Sequence, residues 1–116
     1  ALHGYAYVSC ETILRECGII QQELPAITLI SGQTKHFSIA GQQYYSRKLP
    51  EQFLYQTDGI VFSSNGAYQA NLERALADLL YFNPRAYFDA ANLVDWKKVR
   101  ALQVKLGYPL TPQYYD

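Results

Sequence analysis

The chain has 116 residues, of which 49% are hydrophobic and 17% are charged. Ten Lys and Arg residues balance ten Asp and Glu residues, so the formal net charge is zero. This composition is typical of a folded globular domain. It excludes a disordered chain and a protein whose overall basic field attracts nucleic acid. We therefore expect a single domain in which any nucleic-acid contact is local.

The first half of the chain predicts one short helix followed by short strands. Ser9 precedes the helical segment 10–17 as an N-cap, and Gly18 ends it. Residues 27–30 are rich in β-branched side chains and indicate a strand. The other predicted elements of this half are a hairpin of strands 34–39 and 42–47 with its turn at Ala40-Gly41, a helical turn within 49–54, a buried strand at 60–62, a turn at Asn65-Gly66 and a strand at 67–70.

The hydrophobic period changes to that of a helix after Asn71. This residue is the predicted N-cap of a helix whose apolar face extends from Leu72 to Phe82. Arg74 and Asp78, four positions apart, are expected to form a weak pair on the helix surface.

The remaining segments predict two more helices and a tail. A short helix is expected at 85–91, and Asp95 is the predicted cap of a last helix that Gly107 ends. The tail, residues 108–116, is expected to be loosely held. The predicted buried stripe of the last helix consists of Trp96, Val99, Leu102 and Leu106.

Together these elements predict an α+β fold. We expect a small mixed or antiparallel sheet of about four to five short strands, in a meander, packed against about three or four helices. Residues 1–116 are interpreted as one domain with its core at about 5–107.

The two cysteines, Cys10 and Cys17, are predicted to lie about two helical turns apart, which is too far for a disulfide. Two buried thiols suit a reducing compartment. No apolar run reaches the roughly 18 residues of a membrane-spanning helix. We therefore expect a soluble, cytoplasmic protein that does not contact a membrane.

The sequence contains no pattern of a catalytic centre. Its seven glycines form no phosphate-binding loop. The histidines, His3 and His36, are too few to indicate a metal site. Glu73 and Asp78 lie about 140° apart around one helix, so a hydrolase would need a carboxylate from another element. We expect no enzyme activity, no cofactor and no metal.

Two basic groups are the candidate contacts with nucleic acid or a partner protein. The hairpin group consists of Lys35, His36, Arg47 and Lys48, and the last-helix group consists of Lys97, Lys98, Arg100 and Lys105. Each group can hold phosphates or an acidic partner, and the alternative is a solvated charged face. Tyr44 and Tyr45 are adjacent on a strand, so only one of them can join a stacking surface while the other turns inward.

Three segments, in order, resemble the AbiEi family of antitoxins. The first, from Tyr7 to Ile20, is similar to the family's helix Y-[VI]-S-L-E-S-A-L ending in G-L-I. The second, from Ile27 to Arg47, is similar to the strand I-T…T…R-x-F and the return strand G-x-[FY]-x-Y-[RH]. The third and most specific, from Ala70 to Tyr81, is close to A-T-P-E-[KR]-A-L-x-D-L-L-Y. The departures are Asn71-Leu72 in place of Thr-Pro and Cys10 in place of Leu.

The resemblance implies an antitoxin-type transcriptional regulator domain of a type IV toxin–antitoxin, or abortive infection, system. Such a domain follows a winged-helix DNA-binding part, which we expect to be absent from this chain. It assists promoter DNA binding and opposes a nucleotidyltransferase toxin. On this hypothesis Lys35, Arg47 and Lys48, or else the last-helix group, form one contiguous positive patch. The alternative is a protein–protein interaction module of a mobile-element or defence protein that contacts no nucleic acid.

Overall fold

The computed structural model describes residues 5–63 and 66–115, so the predicted turn residue Asn65 lies outside the described part. The α+β prediction is confirmed, with six described strands in one mixed sheet and four α-helices on one side of it. The strands are β1 (Ala6–Val8), β2 (Ile27–Ser31), β3 (Lys35–Ile39), β4 (Gln42–Lys48), β5 (Ile60–Phe62) and β6 (Tyr68–Ala70). The helices are α1 (Glu11–Glu16), α2 (Glu51–Leu54), α3 (Leu72–Phe82) and α4 (Trp96–Leu106), with 3₁₀ turns at Ala91–Leu93 and Pro112–Tyr114.

The strand order is β3-β4-β2-β1-β6-β5, which is not a meander. β2 pairs in parallel with β4, and β1 pairs in parallel with β6. The predicted meander is wrong for two reasons. β2 pairs with β4 and not with β3, and the short strand β1, which the sequence pattern did not indicate, inserts between β2 and β6. The predicted β3–β4 hairpin and the β5–β6 pair are confirmed as antiparallel neighbours.

The two faces of the sheet have different surroundings. One of them, here called the helix face, carries the buried residues Tyr7, Ile30 and Ala70. α1 and α3 pack on this face, and α2 and α4 pack on α3. The other, here called the open face, is formed by the alternate strand residues Ala6, Val8, Ile27, Leu29, Ser31, Lys35, Phe37, Ile39, Gln42, Tyr44, Ser46, Lys48, Val61 and Gln69. All four described helices therefore lie on the same side of the sheet.

The predicted caps of the two long helices are confirmed. The Asn71 side chain accepts a hydrogen bond from the backbone N–H of Arg74, and Asp95 accepts one from Lys98. Gly107 ends α4 in the left-handed conformation. Local chemistry thus fixes where these helices begin and where α4 ends.

Two predictions about the first helix are wrong. α1 begins at Glu11 after Cys10, and no side chain caps it, because the Ser9 hydroxyl donates instead to Asp78 at 2.8 Å. Cys10 is buried, whereas Cys17, at the C-terminal end of the helix, is exposed. A long-range partner therefore outcompetes the local cap.

The helix predicted at 85–91 is absent from the described chain. The backbone N–H of Ala90 donates to the Ile19 carbonyl at 3.1 Å, and the Asp89 carboxylate accepts from the backbone N–H of Gln21 at 3.0 Å. These tertiary bonds hold the segment, which consists of turns and irregular backbone, against the connection that follows α1. A 3₁₀ turn forms only at Ala91–Leu93.

The predicted tail is packed, and in the predicted buried strand at 60–62 only Ile60 packs against the core, whereas the other two residues are exposed. Tyr108 and Thr111 are buried, and the Tyr114 hydroxyl donates to the Ala86 carbonyl at 2.6 Å. Val61 and Phe62 are 50% and 62% exposed because β5 is an edge strand.

None of the helices in the described part combines the length and apolarity needed to span a bilayer.

Candidate nucleic-acid interface

The charged side chains of the sheet are all basic and all lie in the β3–β4 hairpin. None of the six described strands contains Asp or Glu, whereas β3 and β4 together contain Lys35, His36, Arg47 and Lys48. The described carboxylates all lie in helices and connections. Although the net charge of the chain is zero, the strands carry only basic residues, and the acidic residues lie in the helices and connections.

The register of the hairpin divides the predicted hairpin group between the two faces. Lys35 and Lys48 alternate onto the open face, and His36 and Arg47 alternate onto the helix face. Both terminal nitrogens of Arg47 donate to the Glu11 carboxylate at 2.8 Å. Burial, the largest single effect, lowers the pKa of Arg47, but the hydrogen bonds and charges of Glu11 and Cys10 together outweigh it and the net shift is upward. Arg47 is thus committed to an internal ion pair, and both lysines are exposed.

An aromatic pair stands beside Lys35 on the open face. The rings of Phe37 and Tyr44 stack across the two strands, with centroids 5.1 Å apart and planes 10° apart. The Lys35 ammonium lies 5.2 Å from the Phe37 centroid, within the range of a cation–π contact. Tyr45 turns to the helix face, where its ring lies 5.4 Å from His36. The prediction that only one of the two tyrosines joins this surface is confirmed, although Tyr45 is only half-buried.

The hairpin projects beyond the rest of the sheet. β2 first pairs with β4 at Tyr44, so the end of the hairpin, residues 38–43, has no neighbouring strand other than its own. All six residues of this hairpin tip are exposed. Ala40 and Gly41 have φ values of 50° and 84°, which a two-residue type I′ turn requires.

The last-helix group lies on the opposite side of the molecule. Lys97, Lys98, Arg100 and Lys105 are exposed on α4, which packs on α3 and away from the open face. The Lys105 ammonium forms an ion pair with Asp58 at 3.1 Å. The other three make no ion pair among the described residues. The two predicted basic groups are therefore separate surfaces.

A cleft of about 290 Å³ lies on the helix face beside the hairpin. It is lined by Glu11, Gln22, Leu24, Pro25, Ala26, Thr28, His36, Tyr45 and Arg47. The charged groups that line the cleft are Arg47 and Glu11, and they already form an ion pair with each other. Within residues 5–63 and 66–115, no three His, Cys, Asp or Glu side chains are grouped as potential metal ligands.

The predicted surface pair of Arg74 and Asp78 is wrong, because both side chains are fully buried. Asp78 accepts hydrogen bonds from the hydroxyls of Tyr7 at 2.9 Å, Ser9 at 2.8 Å and Tyr108 at 2.6 Å. The carboxylate is thus saturated with donors from two other parts of the chain, residues 7–9 and Tyr108.

Arg74 is equally well satisfied. Its side chain donates to Asp78 and to the backbone carbonyls of Gln56 and Asp58 at 2.9 and 2.8 Å. Burial raises the pKa of Asp78, and the charge of Arg74 opposes that shift. The network organises the core and leaves no free group for chemistry. One feature of the sequence indicates that the pair is buried. Apart from Arg74 and Asp78, the only charged residue of α3 is Glu73, and a helix that is apolar on nearly all sides is buried.

The sequence analysis also missed an aromatic cluster at the β5 edge of the sheet, formed by Tyr5, Tyr55, Phe62 and Tyr68. Tyr5 lies between Tyr55 and Tyr68, with ring centroids 5.5 and 5.7 Å away, and Phe62 packs on Tyr68 at 5.0 Å. Phe62 is 62% exposed and Tyr68 is 44% exposed. Tyrosine-rich exposed clusters are typical of protein interfaces.

Comparison of the chain with family models, curated proteins and solved structures finds no match.

Proposed function

We propose that this chain is an antitoxin-type transcriptional regulator domain that assists promoter DNA binding through the open face and opposes a nucleotidyltransferase toxin. The observation that supports the DNA role is the absence of Asp and Glu from every described strand, together with Lys35 and Lys48 on the side that no described helix covers. Phosphates approaching this face meet positive charge and no strand carboxylate.

The magnitude of this charge favours an auxiliary contact. Each phosphate neutralised by a lysine contributes about −0.9 to the slope of log K against log salt concentration. Two lysines therefore supply a slope of about −2, which is small beside the slope of about −10 of a complete repressor. A contact of this size suits a domain that strengthens binding by an attached DNA-binding part.

The DNA role can be tested by gel-shift titration of a duplex over a range of salt concentrations. Replacing Lys35 and Lys48 with Ala should make the salt slope shallower by about two. The matched control replaces Lys97 and Lys98, two exposed lysines on the opposite side, and should leave the slope unchanged. The opposite pattern would move the DNA contact to α4. The DNA role would be contradicted if neither the wild type nor any variant showed salt-dependent binding.

The toxin role rests on the resemblance of residues 70–81 to the family's most specific segment. The test is co-expression with the nucleotidyltransferase that the neighbouring gene is expected to encode. Restored growth supports the proposal whether or not the two proteins co-purify, because the proposed role is to oppose the toxin. Unrelieved growth arrest at matched expression of the folded domain would contradict it.

The aromatic cluster supports a second candidate function, a protein–protein interaction module without nucleic-acid contact. Exposed rings at an edge strand offer a partner both apolar area and unpaired backbone groups. Replacing Phe62 with Ser should weaken toxin binding and leave the salt slope for DNA unchanged. If DNA binding is absent while Phe62→Ser abolishes toxin binding, this second function replaces the first.

A further inference from the structure

We infer that the hairpin tip, residues 38–43, enters the major groove of B-form DNA obliquely, with its open face and therefore Ile39 and Gln42 turned toward the base edges. This inference rests on the proposed function, because it requires DNA to approach the open face. The lysines of that face position the duplex through its phosphates, and the tip supplies contacts that depend on sequence.

The dimensions of the tip fit a major groove. It is two strands wide, with a strand spacing of about 4.8 Å. It extends three residues past Tyr44, where β2 begins to pair, which is roughly 10 Å at about 3.4 Å per residue. The major groove is about 12 Å wide and about 8.5 Å deep, and it admits a two-stranded ribbon.

The electrostatics of the tip also favour entry. Residues 24–50 contain no Asp or Glu, and the tip itself has no ionisable side chain. Its nearest charge on the same face is Lys35, four residues before Ile39. The tip can therefore pass between two phosphate backbones without repulsion, while Lys35 remains at the level of the backbone.

The side chains that the pleat presents to the groove match an A·T pair. Ile39 and Gln42 are directly opposite each other on the open face, and Ser38 and Gln43 are opposite each other on the other face. A glutamine amide can bond both N6 and N7 of adenine, and an apolar side chain can contact the thymine methyl group. Ile39 is 60% exposed, and its partner in this arrangement would be that methyl group.

The tip is held in shape before it meets DNA. The type I′ turn matches the twist of the two strands, and the stacked Phe37 and Tyr44 rings brace the base of the ribbon. The Gln42 amide nitrogen donates to the neighbouring Gln43 carbonyl at 2.8 Å. This bond is exposed to solvent and can be exchanged for one to a base.

The test uses gel-shift titration of the 116-residue chain with a mixed-sequence duplex, at a salt concentration where the wild type binds. A second duplex of identical sequence carries glucosylated 5-hydroxymethylcytosine, which obstructs the major groove. We expect about tenfold weaker binding to the obstructed duplex. The minor-groove ligand netropsin should leave binding unchanged.

The hairpin supplies its own matched control. Gln42→Ala should weaken binding to the plain duplex about tenfold, whereas Gln43→Ala, one position along and on the opposite face, should change it less than about twofold. Both side chains are exposed, so neither substitution threatens the fold.

Four outcomes would overturn the inference. Equal binding to plain and obstructed duplexes, or equal effects of the two glutamine substitutions, would overturn it and leave the proposed function intact. Equal binding to an A-form RNA duplex of the same sequence would also overturn it, because the major groove of that duplex is too narrow to read. Absence of binding to any duplex at low salt would overturn both the inference and the DNA part of the proposed function.

Discussion

The Arg74 side chain donates to the Asp78 carboxylate at 3.1 Å in a site where neither side chain has any exposed surface. An ion pair removed from water gains little over two well-packed apolar residues, but it is costly to break. The reason is that removal of one partner leaves the other charge buried and unpaired. The pair therefore constrains which substitutions the core can accept.

We expect Asp78→Asn and Arg74→Met each to lower the free energy of unfolding by about 3–5 kcal/mol. The measurement is urea unfolding followed by circular dichroism. The matched control is Glu23→Ala, which breaks the exposed Arg15–Glu23 pair and should cost less than about 1 kcal/mol. Similar losses for the exposed and buried pairs would show that burial does not set the cost.

The hydroxyls bound to Asp78 predict loss of stability at alkaline pH. Burial and, next, the charge of Asp78 raise the pKa of Tyr7 and of Tyr108 above the ordinary value of 10.0. Above about pH 10 the unfolded chain releases these protons while the folded chain keeps them, so the folded state binds more protons. The contribution of these two tyrosines to stability is therefore complete below about pH 10 and is lost as the pH rises above it.

Urea unfolding at several pH values between about 8 and 11 measures this effect. At about pH 11, where free tyrosines are mostly ionised, phenolate absorbance should show at least two of the eleven tyrosines protected until the chain unfolds. Tyr108→Phe should reduce the pH slope by up to about 1.4 kcal/mol per pH unit, the contribution of one proton. Constant stability across this range would refute the prediction.

Gly59 predicts a steric effect specific to its position. It has φ of 80°, and a Cβ there would lie 2.7 Å from the Arg74 Cβ. Gly18 is the matched control, because its φ is 77° and a Cβ there would have no atom within 4 Å. Gly18→Ala therefore measures the backbone strain alone, about 1–2 kcal/mol. We expect Gly59→Ala to cost a further 1–3 kcal/mol or so from overpacking in the same urea assay. Equal losses would mean that Arg74 moves away without cost.

Ala40 occupies a turn position that favours another residue. Its φ of 50° belongs to a type I′ turn, in which Asn before Gly is preferred. Ala40→Asn should therefore stabilise the domain by about 0.5–1 kcal/mol, measured as a rise in melting temperature. Ala40→Val, whose branched side chain opposes a positive φ, should destabilise it. If Asn lowers the melting temperature, the turn is not of this type.

Elements governed by neighbouring residues could be predicted from the sequence. Asn71 and Asp95 cap their helices because a side chain needs only the next turn of backbone as its partner. The β3–β4 hairpin follows from Ala40-Gly41 and the strands beside it. The candidate basic residues were also visible as residue types, although their division between two surfaces required the strand register and the position of α4.

Features governed by distant residues could not be predicted in this way. Ser9 has the chemistry of a cap, but a carboxylate 69 positions away takes its hydroxyl. Segment 85–91 has no helix because the connection that follows α1 binds its backbone. The parallel pairing of β1 with β6 brings together strands that no local pattern connects.

The sequence by itself determined the fold class, the two long helices and the hairpin, because periodicity, caps and turns act over a few residues. Only the tertiary structure decided that Arg74 and Asp78 are internal, that Lys35 and Lys48 share an uncovered face, and that the hairpin tip projects. Burial and surface continuity depend on which elements pack together, and that is settled by contacts between distant parts of the chain.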